Sequence, residues 1–118
     1  MEIDVEVKDG PPITGLIKLK GLIETPQARL LRGMLDEIEA KGVGRIIFDM
    51  SGVSFVSSTG FSLLVSYANG KRNEWGENPV VLAGVTAAVQ QSMSTLGITG
   101  IFTLLPDMKS ALDSFGIS

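Results

Sequence analysis

The chain of 118 residues contains no cysteine and no histidine. Without thiols it has neither a disulfide framework nor a thiolate metal site. Without imidazole it has no Ser-His-Asp triad, no His-ligated metal and no imidazole general base, so a serine cluster in it is not a conventional hydrolase site. Charge is sparse, with 10 Lys and Arg against 13 Asp and Glu and a formal net charge of −3. The basic residues are scattered, whereas contact with nucleic-acid phosphates needs them clustered, so no nucleic-acid partner is expected. No apolar run approaches the ~20 residues of a membrane helix, which argues against direct membrane insertion. The opening Met-Glu-Ile-Asp-Val-Glu-Val-Lys alternates polar and apolar residues and has no basic region before an apolar core. A signal peptide is therefore not expected, and the expected location is cytoplasmic.

What is present is a globular composition, 44 % hydrophobic and 19 % charged. The length suits a single core, so residues 1–118 are expected to form one domain. Ile3, Val5 and Val7 alternate with charged residues as in a half-buried strand. After the turn composition Asp9-Gly10-Pro11-Pro12, residues 13–20 read as a second strand, and so short a link favours an antiparallel hairpin. Thr25 as N-cap and Pro26 at the first helical position open a helix with Ala28, Leu31, Leu35 and Ile38 on one stripe and Met34 beside it; Lys41 and Gly42 supply the last-turn cation and the stop.

Residues 44–50 form an apolar central strand, suited to burial on both faces. A second helix is expected over residues 59–71, with Gly70 as its stop, followed by a polar link over 71–78 in which Trp75 lids the core edge. Residues 79–83 form a fourth strand; Thr86 caps a third helix whose Val89, Met93 and Leu96 share a face and which Gly97 ends; residues 101–105 form a fifth strand. Pro106-Asp107 then starts a last helix with Met108, Ala111, Leu112 and Phe115 facing in. This order predicts an α/β single domain, with a mixed, mostly parallel β-sheet of about five strands packed with about four helices.

The stretch 49–60 carries the functional signal: Asp-Met-Ser-Gly-Val-Ser-Phe-Val-Ser-Ser-Thr-Gly, ending in the cluster Ser57, Ser58, Thr59 and Gly60 at the entrance to the second helix. Free backbone N–H groups gather at such an entrance, and a Ser or Thr oxygen caps them. One cap needs one hydroxyl. The surplus fits either plain capping or a covalent phosphate, whose roughly −1.5 to −2 charges are favoured at a helix N-terminus. Asp49 is expected to order the chain by accepting backbone N–H bonds.

This stretch resembles the signature of the STAS domain, as in bacterial anti-sigma factor antagonists, whose members typically read Asp-Leu-Ser-x-Val-x-Phe-hydrophobic-Asp-Ser-Ser/Thr-Gly. The resemblance implies an α/β STAS-like fold and phosphorylation at Ser58, with Thr59 and Ser57 as alternatives. The family's aspartate before the serine is Ser57 here, and its glycine two residues after the motif glycine is Ser62. The partner-binding residues it implies are Glu24, Ser57, Ser58, Thr59, Gly60 and Phe61. Phe61 and Ile23 are open between docking patch and core.

The partners implied are an anti-sigma factor that is also a serine protein kinase, and a serine phosphatase. No catalytic residue, metal or cofactor is expected. The expected function is thus a regulatory binding module switched by phosphorylation. The alternative is a non-phosphorylated STAS scaffold subunit of a stress-signalling or transport complex, which the residue at Ser57 favours. An enzyme has little support, since no paired carboxylates or phosphate loop are visible.

Overall fold

The computed structural model describes residues 2–76 and 79–117. In chain order its elements are β1 Glu2–Lys8, β2 Ile13–Ile23, α1 Thr25–Glu39, β3 Val43–Val56, α2 Ser58–Trp75, β4 Val80–Ala83, α3 Ala87–Leu96, a 3-10 turn Thr99–Ile101, β5 Thr103–Leu105 and α4 Met108–Ser114. The five strands form one sheet in the order β1-β2-β3-β4-β5. The β1–β2 hairpin is antiparallel, and β2 to β5 run parallel, as helical crossovers require. This is the mixed sheet and helix complement expected for a single α/β domain.

Alternation along the central strands sorts the core into two layers. Ile46 and Phe48 of β3, with Val80 and Leu82 of β4, face α1, α2 and α3, where Leu31, Leu35, Leu64, Val89 and Met93 close the main core. Ile47, Val81 and Ala83 face the other way, onto Ala111 of α4. Burial on both faces explains the unbroken apolar run of β3.

Several boundaries differ from expectation. Both β2 and β3 run on, to Ile23 and Val56, so most of the 49–60 stretch is strand rather than loop. Helix α1 is capped by Glu24 instead of Thr25. Glu24 N–H donates to Gln27 Oε1 at 3.1 Å, and its carbonyl accepts from Ala28 N–H at 2.8 Å, so Thr25 is already the first helical residue. Lys41 lies beyond the last helical residue, Glu39, while Gly42 turns the chain at φ +88°.

Helix α2 passes through Gly70 to Trp75. A Cβ at Gly70 would meet nothing within 4 Å, and an exposed helical glycine costs only about 1 kcal/mol. The side chains beyond Gly70 offset that cost: Lys71 pairs with Glu39 of α1, and Trp75 meets Tyr67 edge-on at 6.2 Å. Trp75 packs, partly buried, against the main core, though from the helix rather than from a link. Residues 77 and 78 of the expected link lie outside the described residues.

Thr86 caps α3, accepting from Val89 N–H at 3.4 Å, and Gly97 ends it at φ 71°. Leu96, expected on the inner face, is instead 53 % exposed. The fifth strand is three residues long because a 3-10 turn takes Thr99–Ile101.

Candidate functional site

The site is built by two parallel strands that end side by side. In the β2–β3 register Leu22 lies opposite Phe55, and Ile23 opposite Val56. Each strand then enters a helix, so the N-termini of α1 and α2 stand next to one another at the carboxyl edge of the sheet. The last rung of this ladder is Ser57 N–H donating to Ile23 O at 2.8 Å. Beyond it, Thr25 Oγ1 donates to Thr59 Oγ1 at 3.1 Å, joining the first turns of the two helices.

The hydroxyl cluster divides its work within this frame. Ser57 is the N-cap of α2, its Oγ accepting from Gly60 N–H at 3.2 Å and its carbonyl accepting from Phe61 N–H at 2.9 Å. Thr59 Oγ1 takes the bond from Thr25. Ser58 is the first residue of the helix, is exposed, and its hydroxyl has no hydrogen-bond partner among the described residues. The surplus over the one hydroxyl needed for capping is therefore one bridging threonine and one unengaged serine.

Gly60 and Phe61 support the cluster from beneath. A Cβ at Gly60 would lie 2.8 Å from Val56 Cγ1 and 2.9 Å from Ile23 O, so only glycine lets α2 settle this close to the strand ends. Phe61 is 4 % exposed and Ile23 fully buried. Of the two options open for Phe61 and Ile23, burial gives the core: both side chains pack in the main cluster, with Phe61 also forming part of the floor of the grooves beside Ser58. Glu24 is exposed at the head of α1, next in the chain to the residue whose carbonyl holds Ser57.

Apolar side chains that sequence reasoning missed surround the cluster. Leu22 and Phe55 are 46 % and 47 % exposed. Two open grooves meet at Ser58. One runs towards α3 past Phe55, Gln91, Thr95 and Leu96, and the other past Phe61, Val65, Leu96 and Ile98. Among the described residues no charged side chain lines either groove.

Two irregularities in β3 bring Val53 into the main core between Met50 and Val56, while Phe55 stays on the outward face. The register advances from Lys18↔Asp49 to Lys20↔Gly52, and from Gly21↔Val53 to Leu22↔Phe55, so β3 takes one extra residue at each step. Burial then recurs at Met50, Val53 and Val56, every third residue instead of every second. Asp49 sits at the earlier of these two irregularities, where its Oδ1 accepts from Ser51 N–H at 3.0 Å and Ser51 Oγ at 2.7 Å. That matches the backbone-ordering role expected for it, within a strand. Thr86 Oγ1 donates to Val53 O at 3.2 Å and fixes α3 against the same segment.

A second polar cluster lies farther along α2, between it and α1. Lys71 bonds Glu39, and Glu74 at 2.8 Å, and its ammonium stands 5.5 Å from the Tyr67 ring and 5.1 Å from the Trp75 ring. Burial works to lower the Lys71 pKa, but the bonds to Glu39 and Glu74 outweigh it and raise it. Burial, aided by Glu39, raises the Tyr67 phenol well above its ordinary value. These groups satisfy one another and hold two helices together. Among the described residues no cluster of acidic side chains could hold a metal ion, and no helix is long and apolar enough to cross a membrane.

A model of the STAS domain family matches residues 2–111. The anti-sigma factor antagonist SpoIIAA, in its unphosphorylated form, is similar with a TM-score of 0.74 at 16 % identity, over 98 % of this chain and 99 % of its own. The Thermotoga maritima protein TM1081 is similar with a TM-score of 0.82 at 16 % identity, over 95 % of this chain and 92 % of its own. A sulfate transporter family protein from Wolinella succinogenes gives 0.72 at 20 % identity, over 86 % and 83 %. At such identities these structures establish the shared fold, and the family model adds the sequence signature: the chain belongs to the STAS domain family.

Proposed function

We propose that this protein is an anti-sigma factor antagonist-like regulatory module that binds an anti-sigma factor acting as its serine kinase, and that phosphate on Ser58 switches the binding off. The observation that carries this reading is Ser58 itself: an exposed hydroxyl, unengaged, at the first position of a helix and at the junction of two uncharged grooves. Unmodified, that face offers a partner Phe55 and Leu96 with no charge to desolvate. A phosphoserine adds roughly −1.5 to −2 charges, which the first turn of α2 tolerates within this chain but which an uncharged docking face, once covered by a partner, does not. Glu24 at the neighbouring helix head adds to the negative field there. A serine phosphatase resets the switch. That SpoIIAA has been solved in both unphosphorylated and phosphorylated forms, each similar in fold to this chain, supports the analogy.

Replacement of the family's aspartate by Ser57 leaves its structural part intact. Aspartate and serine are comparable N-caps, and Ser57 already accepts the Gly60 N–H. What is lost is one carboxylate in front of Ser58. That loss, with the likeness to a transporter-family protein, favours the second reading, a STAS subunit that scaffolds a larger assembly without modification.

The test is to incubate the protein with ATP and the serine kinases of its own organism and locate phosphate by mass spectrometry, with Ser58→Ala as the control. Phosphate on Ser58, absent from the variant, is the expected result. An unmodified protein that still joins a stable complex would establish the scaffold instead.

A further inference from the structure

We propose that Thr25 selects the hydroxyl that is phosphorylated, by tying up Thr59 and leaving Ser58 open; this rests on the reading of the cluster as a phosphate acceptor. Three hydroxyls lie in succession, and the geometry separates them. Ser57 Oγ is turned inward to the Gly60 N–H at 3.2 Å. Thr59 is exposed, as Ser58 is, so exposure does not discriminate between them. The difference is the 3.1 Å bond from Thr25 Oγ1, which comes from another helix, 34 residues away in the chain.

Phosphoryl transfer asks for an oxygen lone pair aimed in line at phosphorus. The Oγ–P bond forms as the bond from the γ-phosphorus to the β,γ-bridging oxygen of the kinase-bound nucleoside triphosphate breaks. The diphosphate leaves with that electron pair, and the hydroxyl proton passes to a base of the kinase. The hydrogen bond with Thr25 Oγ1 occupies a lone pair or the proton of Thr59 Oγ1, the atom that would attack, and holds the side chain in the rotamer facing α1. Ser58 pays neither penalty. Thr25 is held at the first helical position of α1 by the Glu24 cap, so the two helix heads are pre-set for this contact. A solvent-exposed hydrogen bond of ordinary strength biases the choice about fivefold.

The experiment uses the full chain, ATP and the kinase fraction of a lysate of its own organism, with phosphate assigned to each position by mass spectrometry. Thr25→Val keeps the shape and removes the hydroxyl; Thr25→Ser restores it. The expected result is that Thr25→Val raises the Thr59-to-Ser58 ratio about fivefold and Thr25→Ser returns it to the wild-type value. In a Ser58→Ala background, Thr25→Val should raise labelling of Thr59 by a similar factor. The ratio is compared under conditions where circular dichroism shows wild type and variants equally folded, because unfolded chains expose all three hydroxyls and would raise it as well. An unchanged ratio in Thr25→Val, or phosphate mainly on Thr59 in the wild type, overturns the role of Thr25 and leaves the switch standing. No phosphate on any of the three hydroxyls overturns both.

Discussion

Single atoms decide whether the helix entrance can form at all. Gly60→Ala would press a methyl against Val56 and the Ile23 carbonyl, 2.8 and 2.9 Å away, and the carbonyl belongs to a sheet that cannot yield. Such overpacking costs about 1–3 kcal/mol, to be read as a lower urea midpoint. Ser57→Ala should cost about 1 kcal/mol by leaving the Gly60 N–H uncapped, whereas Ser57→Asp should hold stability because aspartate caps as well. Ser58→Ala touches no partner and should stay within about 0.5 kcal/mol of wild type. Equal unfolding curves for Ser57→Ala and wild type would remove the cap from the account.

At the scale of elements, the seam between α1 and α2 should respond to alkaline pH. Lys71 and Tyr67 both keep protons in the folded chain beyond their ordinary values of 10.5 and 10.0. For a group whose folded pKa is raised, the stability it contributes is complete below the unfolded pKa and is lost as pH rises through the folded one. The urea midpoint should therefore be flat up to about pH 9.5 and fall above about pH 10. Tyr67→Phe should lessen the fall; a variant that falls just as steeply would show that the phenol takes no part.

Elements were also where the sequence was most and least legible. Ala28, Leu31, Leu35 and Ile38 at helical spacing located the buried stripe of α1, and Thr86 and Gly97 bounded α3, because those signals are local. Gly70 misled, since contacts from Lys71 and Trp75 to other side chains carry α2 past it. The inward turn of Val53, an odd number of residues from Met50, was illegible because it depends on irregularities in the register with β2, not on any pattern within β3. Likewise the cluster Ser57, Ser58, Thr59 was visible, but the partner of Thr59 lies on another helix and only the fold brings Thr25 to it.

For the whole molecule, the parallel register places the heads of α1 and α2 together at one edge, with α3 fixed alongside by Thr86. The face so made combines an unengaged serine with exposed Phe55 and Leu96. Leu96→Ala should change stability by less than about 0.5 kcal/mol, being exposed, yet weaken partner binding by about 1–2 kcal/mol. Unaltered affinity in that variant would place the partner elsewhere. The most direct test titrates the kinase proposed to modify Ser58 with the unmodified protein and with protein carrying phosphoserine at position 58, in a calorimeter. Binding at least about tenfold weaker for the phosphorylated form is the expected result, the like-charge and desolvation cost of one phosphate at the docking face. Equal affinity for the two forms would contradict the switch.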